Sequence, residues 1–336
     1  MLNFSENSSI GRFKRVTFRT LAALPCGILL FAGCLCVQAS SFSIDREATI
    51  QYDLGGVRMP EWSGGALVTF VSNQTPAPVI LSFDDRGRQL SPLILTIPES
   101  ETIDLLDAAR GSDGMVVACG KVYDHSGRGT GFLAVFGTTG VELTVIRLYP
   151  YSPSRIAVAA DGSIWTAGPE DANPMAAMDS TPPGSGVVRH FDRAGKMIGA
   201  VIARSEFSSR FMVEYGWLRA ARGRIGWYTG PTNGPGSRYY EILSDGTVRK
   251  YPVISINKSE VVNGLALTDD GRTYVTTADN RNHTWRFLSI GGPDQTWIQP
   301  SLPGQFGRAF LYGAEGDRLV FYHRDRFTVA FVNVSN

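Results

Sequence analysis

The sequence has few of the residues on which common catalytic and metal sites are built. Its 336 residues include four cysteines and four histidines, and the histidines are far apart in the chain. It contains neither the Gly-x-Ser-x-Gly pentad of a hydrolase nucleophile nor the His-Glu-x-x-His pattern of a zinc protease. These absences argue against the usual serine-hydrolase and zinc-protease sites, and no catalytic residue can be named.

A candidate export signal lies at the N-terminus. Basic residues from Arg12 to Arg19 precede an apolar run, Leu21–Val37, and the small residues of Val37-Gln38-Ala39 follow. A basic lead, a short apolar stretch and a small-x-small end are the signature of a secretory signal peptide. We therefore predict a signal peptide over residues 1–39 and an exported mature domain, periplasmic or extracellular, over residues 40–336.

Two alternatives to cleavage stay open. The first is a retained membrane anchor, because roughly 17 apolar residues is the lower limit of a bilayer-spanning helix. The second is a lipoprotein anchored through Cys34, since the segment Phe31-Ala32-Gly33-Cys34 contains the Ala-Gly-Cys of a lipobox.

An excess of charge of one sign is also lacking. Without residues 1–39 the chain has 28 basic and 30 acidic residues, a formal net charge of −2. This near-neutral charge predicts no nucleic-acid partner, and we expect no membrane span in the mature chain. Only Cys119 lies outside the N-terminal segment, which excludes an internal disulfide.

Helical periodicity is almost absent from residues 40–336, and short β-strand patterns recur. Runs rich in Val, Ile, Phe, Tyr and Trp alternate with Asp-Gly, Gly-Gly and Asn-Gly turns, which is typical of antiparallel strands. A glycine turn followed by an alternating strand occurs six times, at Gly65, Gly114, Gly162, Gly223, Gly271 and Gly316. A second unit, an apolar strand ending in a turn, follows each copy, at Phe83, Phe136, Phe191, Leu243, Leu288 and Phe331.

This double series predicts an all-β, six-bladed β-propeller with four antiparallel strands in each blade, because a period near 50 residues corresponds to one blade. The sixth copy has too few residues after Phe331 for a fourth strand. Residues 48–54 could supply it, since Ile50, Tyr52 and Leu54 alternate on one face. We therefore predict that this N-terminal strand closes the last blade and leaves no long unpaired edge.

Two segments carry a family resemblance. Residues 155–166, Arg-Ile-Ala-Val-Ala-Ala-Asp-Gly-Ser-Ile-Trp-Thr, resemble the blade signature of NHL-type and lyase-type six-bladed propellers. Residues 263–276, which begin Asn-Gly-Leu-Ala-Leu-Thr-Asp-Asp-Gly, resemble the Asn-Gly-Leu segment of the gluconolactonase family. That resemblance implies that Asn263 is a ligand of a divalent metal such as calcium on the propeller axis, with Glu61 as a second ligand. The resemblance covers one blade, and the Gly-Pro motif of the family is missing around Glu61.

The ligand face of a propeller consists of the loops that lead into its innermost strands. Counting back seven or eight residues from the glycine turns, and adding close neighbours, gives the predicted ligand-binding residues Arg58, Glu61, Trp62, Arg155, Tyr215, Asn263 and Arg308. Arginines beside aromatic and acidic residues suit an anionic or sugar-like ligand.

Two function classes follow from these residues. We interpret the chain as a ligand-binding or scaffold module without a cofactor, whose partner is a small molecule, a saccharide or a protein. The alternative is a gluconolactonase-like or lyase-like enzyme that holds a divalent metal on the axis through Asn263 and Glu61.

Overall fold

Twenty-four β-strands follow one another along the described part of the chain. The computed structural model describes residues 41–52, 57–71, 74–170, 186–207, 213, 216–230, 238–254, 260–279, 281, 284–291, 296–300, 306 and 309–335. The strands are β1 (Ser41–Thr49), β2 (Val57–Ser63), β3 (Ala66–Val71), β4 (Val79–Phe83), β5 (Leu93–Ile94), β6 (Thr102–Arg110), β7 (Val116–Tyr123), β8 (Gly129–Phe136), β9 (Leu143–Leu148), β10 (Arg155–Val158), β11 (Ile164–Ala167), β12 (Gly186–Phe191), β13 (Met197–Ala203), β14 (Gly216–Ala221), β15 (Arg224–Thr229), β16 (Tyr239–Leu243), β17 (Val248–Lys250), β18 (Glu260–Leu267), β19 (Thr273–Asp279), β20 (Thr284–Gly291), β21 (Thr296–Ile298), β22 (Phe310–Glu315), β23 (Arg318–His323) and β24 (Thr328–Ser335).

Antiparallel pairing joins these strands in sets of four. The strands β6–β9, β10–β13, β14–β17 and β18–β21 form four separate sheets. The other eight form one sheet in the order β1-β24-β23-β22-β2-β3-β4-β5, and its two halves meet at the parallel pair of Trp62 and Gly313. The prediction of an all-β propeller fold with four-stranded antiparallel sheets is confirmed. A count of six blades remains our interpretation of the pairing.

The first strand of each set lies innermost. These strands contact one another in chain order, and the last of them, β22, contacts β2. The series is β2, β6, β10, β14, β18 and β22. Side chains on these six strands can therefore meet although they are far apart in sequence.

Burial is high on the second strand of a set and low on its fourth strand. All six residues of β15, the second strand of its set, are buried, whereas all three of β17, the fourth strand, are exposed. Second strands such as β3 and β11 are rich in apolar residues because neighbouring sheets cover both of their faces. Cys119 lies on such a strand, β7, and is a buried free thiol.

The N-terminal strand differs from its predicted position. β1 spans residues 41–49 and pairs antiparallel with β24 over that whole length, whereas the strand was predicted at 48–54. Ile50 follows β1 directly and is buried, and Tyr52 lies in the next bend, where its ring packs against a phenylalanine of β4. Their alternation therefore reflects core packing. Leu54 lies outside the described residues, and closure of the last blade by β1 remains our interpretation.

Residues Ala39–Asn336 form one unit. The predicted signal peptide, residues 1–39, lies outside the described residues, as do the lipobox and its Cys34. Among the residues that the structure describes, no helix has the length and hydrophobicity needed to cross a membrane.

Candidate functional site: a buried charge cluster on the innermost strands

Four ionisable side chains from four innermost strands form a buried group. They are Glu61 on β2, Asp107 on β6, Arg155 on β10 and Arg219 on β14, and their residues are 1%, 3%, 6% and 5% exposed. We call these four residues the axial cluster. Within the axial cluster, the Arg219 guanidinium donates a hydrogen bond to the Glu61 carboxylate. β14 lies three places from β2 in the series of six, so this ion pair joins opposite strands.

Irregularities in the strands set the direction of the two acidic side chains. The pairing of β2 with β3 shifts register between Arg58 and Glu61, at Pro60, which has no backbone N–H to donate. The pairing of β6 with β7 shifts between Leu105 and Asp107. A β-bulge redirects the side chains beside it, and each carboxylate of the axial cluster directly follows one.

Hydrogen bonds to the backbone fix Asp107 and Arg155. Asp107 Oδ1 accepts from the Ala108 amide at 3.0 Å, and Oδ2 accepts from the Ile156 amide on β10, also at 3.0 Å. Arg155 Nε donates to the Gly216 carbonyl on β14 at 2.7 Å. Each of the two side chains therefore reaches the next innermost strand.

Arg219 extends the cluster toward β18. Its Nη1 donates to the Leu218 carbonyl at 2.9 Å, and its guanidinium carbon lies 5.1 Å from the centroid of the Trp217 ring. Arg219 Nε is buried and has no hydrogen-bond partner within the described part of the chain. The Trp217 indole donates to the Val262 carbonyl on β18 at 3.4 Å, directly before Asn263.

Asn263 occupies a bulge of its own. The pairing of β18 with β19 shifts register between Val262 and Gly264. Both amide atoms of Asn263 are buried, and neither has a hydrogen-bond partner in the structure as described. Buried polar groups are normally paired, so this amide offers unused donors and an unused acceptor. No side chain would fit at the adjacent Gly264, where an added Cβ would lie 2.4 Å from the Leu311 carbonyl oxygen of β22.

Burial dominates the electrostatics of the axial cluster. Loss of water raises the pKa of Glu61 to about 8, although the positive charge of Arg219 acts in the opposite direction. Burial also raises the pKa of Asp107, against the charges of Arg155 and Arg219. Both carboxyl groups therefore hold their protons more readily than in water, and the charge of the cluster shifts toward its two guanidinium groups.

The structure brings together some of the ligand-binding residues that were predicted from the sequence. Glu61, Arg155 and Asn263 all lie on innermost strands, and the first two belong to the axial cluster. The side chain of Arg58 lies outside the description, and so do the whole residues Tyr215 and Arg308.

Trp62 was predicted to be a ligand-binding residue, but its side chain lies in the core. It is 4% exposed and packs edge-to-face against Phe331, with ring centroids 4.9 Å apart. Successive side chains of a strand point to opposite faces, so Trp62 enters the core between β2 and the last set while its neighbour Glu61 joins the axial cluster.

Sequence reasoning missed Asp107 and Arg219. Asp107 stands seven residues before Gly114, as Arg155 stands seven before Gly162, so the same count applied to the second repeat would have found it. Arg219 and Glu61 each stand four residues before their glycine turns. The missing information was which of these positions points inward.

The axial cluster does not fit a divalent metal. Its Glu61 carboxylate is bonded to Arg219, and two guanidinium groups beside it would repel a cation. Among the described residues, no group of three or more His, Cys, Asp and Glu side chains is placed to hold a metal ion.

No family model matches the chain, and no curated protein matches it. Similar solved structures include a glucose dehydrogenase, at 12% identity over 88% of this chain and 99% of that chain, with a TM-score of 0.47. The WD40 repeats of RRP9 match at 11% identity over 89% and 99%, with a TM-score of 0.45. A GH43_1 enzyme from Xanthomonas citri in complex with xylose matches at 15% identity over 72% and 89%, with a TM-score of 0.43. Likenesses this distant carry no functional argument.

Proposed function

We propose that this chain is an exported ligand-binding module that binds a small anionic or sugar-like molecule at the axial cluster. The observation that carries the proposal is the convergence of Glu61, Asp107, Arg155 and Arg219 in a buried position. Buried ion pairs are often no more stabilising than apolar side chains of similar volume. Ionisable groups kept in such a place therefore favour a role in function.

The chemistry of the cluster favours a carboxylate on the ligand. Guanidinium groups bind carboxylates through parallel hydrogen bonds, and the raised pKa of both carboxyl groups weakens the negative charge that would oppose an anion. The neighbouring Trp217 ring and the Asn263 amide suit a sugar ring and its hydroxyl groups. Taken together, these groups support an acidic sugar as the ligand class.

The proposals on export, cofactors and nucleic-acid partners rest on the sequence analysis. Export depends on the predicted signal peptide, and mass spectrometry of the exported protein should find Ser40 at its N-terminus. We propose no cofactor and no nucleic-acid partner. The metal-dependent alternative needs Glu61 as a metal ligand, whereas the Glu61 carboxylate is bonded to Arg219.

The experiment is a calorimetric titration of residues 40–336 with galacturonate and galactose, which differ by a carboxylate. We expect galacturonate to bind at least about tenfold more tightly, because a charged hydrogen bond contributes roughly 1.5–3 kcal/mol. Arg219→Gln should weaken galacturonate binding by about 10- to 100-fold. The matched control is Arg222→Gln, an exposed arginine just beyond β14, and should leave binding unchanged.

Three outcomes would contradict the proposal. The first is equal affinity for the acidic and the neutral sugar, which would remove the role of the guanidinium groups. The second is an equal loss of affinity in Arg219→Gln and Arg222→Gln, which would place the ligand elsewhere. The third is no measurable binding of either sugar.

A further inference from the structure

A cleft separate from the axial cluster lies between the third and fourth sets of strands. Its volume is about 200 Å³, and its walls are the turn after β10, the side chains of β11 and β12, and the segments around β14–β16. The volume is below the roughly 300–1,000 Å³ of pockets for drug-sized ligands, so any occupant is small. The lining residues that matter here are Trp165, His190, Arg224, Ile225 and Ile242.

A stacked pair of rings forms one wall of the cleft. Trp165 and His190 are cross-strand neighbours, and their rings lie 4.1 Å apart at an interplanar angle of 11°. His190 Nε2 is buried and has no hydrogen-bond partner in the described part of the molecule. Burial lowers the pKa of His190 and outweighs the opposing charge of Asp161, so the imidazole is neutral at pH 7.

A buried guanidinium contributes a second unused polar group. Arg224 is 8% exposed, and its terminal nitrogens pair with the Glu241 carboxylate, with Thr273 Oγ1 at 3.0 Å and with the Thr268 carbonyl at 2.9 Å. Its Nε is buried without a partner among the described residues. The charge of Arg224 is already matched by Glu241, while one N–H remains unused.

We propose that this cleft binds a small uncharged molecule that carries a hydroxyl group on an apolar, ring-sized body. The hydroxyl oxygen accepts from the Arg224 Nε–H group, and the hydroxyl hydrogen is donated to His190 Nε2. The body contacts Trp165, beside the buried cross-strand pair of Ile225 and Ile242. An anion is disfavoured because the Arg224 charge already has its partner. This site is independent of the ligand proposed for the axial cluster.

Phenol is the probe that tests this site, with benzene and benzoate as comparisons. In a nitrogen-15 NMR titration of residues 40–336, phenol should shift the indole N–H resonance of Trp165 in a saturable way. That resonance is assigned from the spectrum of Trp165→Phe. Benzene, which lacks the hydroxyl, should bind about tenfold more weakly, since one or two hydrogen bonds are lost. Benzoate should not bind.

The variant His190→Phe keeps a ring against Trp165 and removes the nitrogen. It should weaken phenol binding about tenfold and leave benzene binding unchanged. The control His125→Phe, whose side chain is 84% exposed in the native protein, should change neither.

Several results would overturn the proposal: no shift of the Trp165 resonance with phenol, benzene binding as tightly as phenol, or unchanged phenol affinity in His190→Phe. Binding of benzoate as tight as that of phenol would overturn the assignment to an uncharged ligand. If His190→Phe does not fold, the comparison of phenol with benzene on the wild-type chain decides alone.

Discussion

At the residue scale, Glu61 owes its place to its neighbour Pro60. Proline cannot donate to a strand ladder, and the register of β2 against β3 shifts where it stands. The shift and the alternation of the strand turn Glu61 toward Arg219 and Trp62 into the core. The result is a carboxyl group whose pKa burial raises to about 8.

The raised pKa of Glu61 makes a prediction about stability. In the unfolded chain the group titrates near its ordinary value of 4.5, and in the folded chain near about 8. Between these values only the folded state holds the proton, so the free energy of unfolding falls as the pH rises from about 4.5 to about 8. Glu61→Gln cannot lose a proton and should show a shallower fall, measured by urea unfolding at about pH 5 and pH 8.

The control for this measurement is Glu101→Gln, because the Glu101 side chain is 59% exposed. It should keep the wild-type pH dependence. If Glu61→Gln also keeps the wild-type dependence, the carboxyl of Glu61 titrates alike in the folded and unfolded states, and the electrostatic description of the axial cluster is wrong.

At the element scale, β1 covers an edge that β24 would otherwise expose. The Phe42 ring packs edge-to-face on Phe287, with centroids 5.5 Å apart. The Arg46 guanidinium lies 3.9 Å from the centroid of the Phe331 ring and donates to Asp85 at 2.6 Å. β1 therefore combines a backbone ladder with apolar and ionic contacts to three other strands or turns.

Removal of β1 should destabilise the chain strongly. A chain that begins at Ile50 leaves the ladder groups of β24 unpaired and an apolar face uncovered, which favours aggregation. We expect it to be insoluble or to melt at least about 10 °C below a chain that begins at Ser40, as measured by differential scanning calorimetry. Melting curves that coincide would show that β1 contributes nothing to the fold.

The turns explain why the strands could be predicted. All six glycines of the first repeat series adopt positive φ, from 60° at Gly316 to 95° at Gly114. Positive φ is easy for glycine and costly for most residues. Each of these turns therefore requires a glycine that can be recognised in the sequence. The sequence pattern of β1 is weaker, because most of its residues are exposed or half-buried and its apolar residues do not alternate regularly.

At the scale of the whole molecule, repeat spacing located the strands of the axial cluster better than the residues that form it. The count back from the glycine turns reached Arg155, and the same loops contained Glu61. The bond between Glu61 and Arg219 joins positions 158 residues apart and depends on the bulge that turns the Glu61 side chain inward. Bulges are one-residue irregularities, and repeat spacing alone does not show them.

The most direct test of the account is the free energy of unfolding of the double variant Glu61→Met, Arg219→Met. It replaces the buried pair with apolar side chains of similar length and leaves Asp107 and Arg155 to balance each other. If the pair is kept for ligand binding, urea unfolding should show stability equal to the wild type or up to about 4 kcal/mol higher. A loss of more than about 3 kcal/mol would mean that the pair holds the innermost strands together and would contradict the assignment of the axial cluster as a binding site.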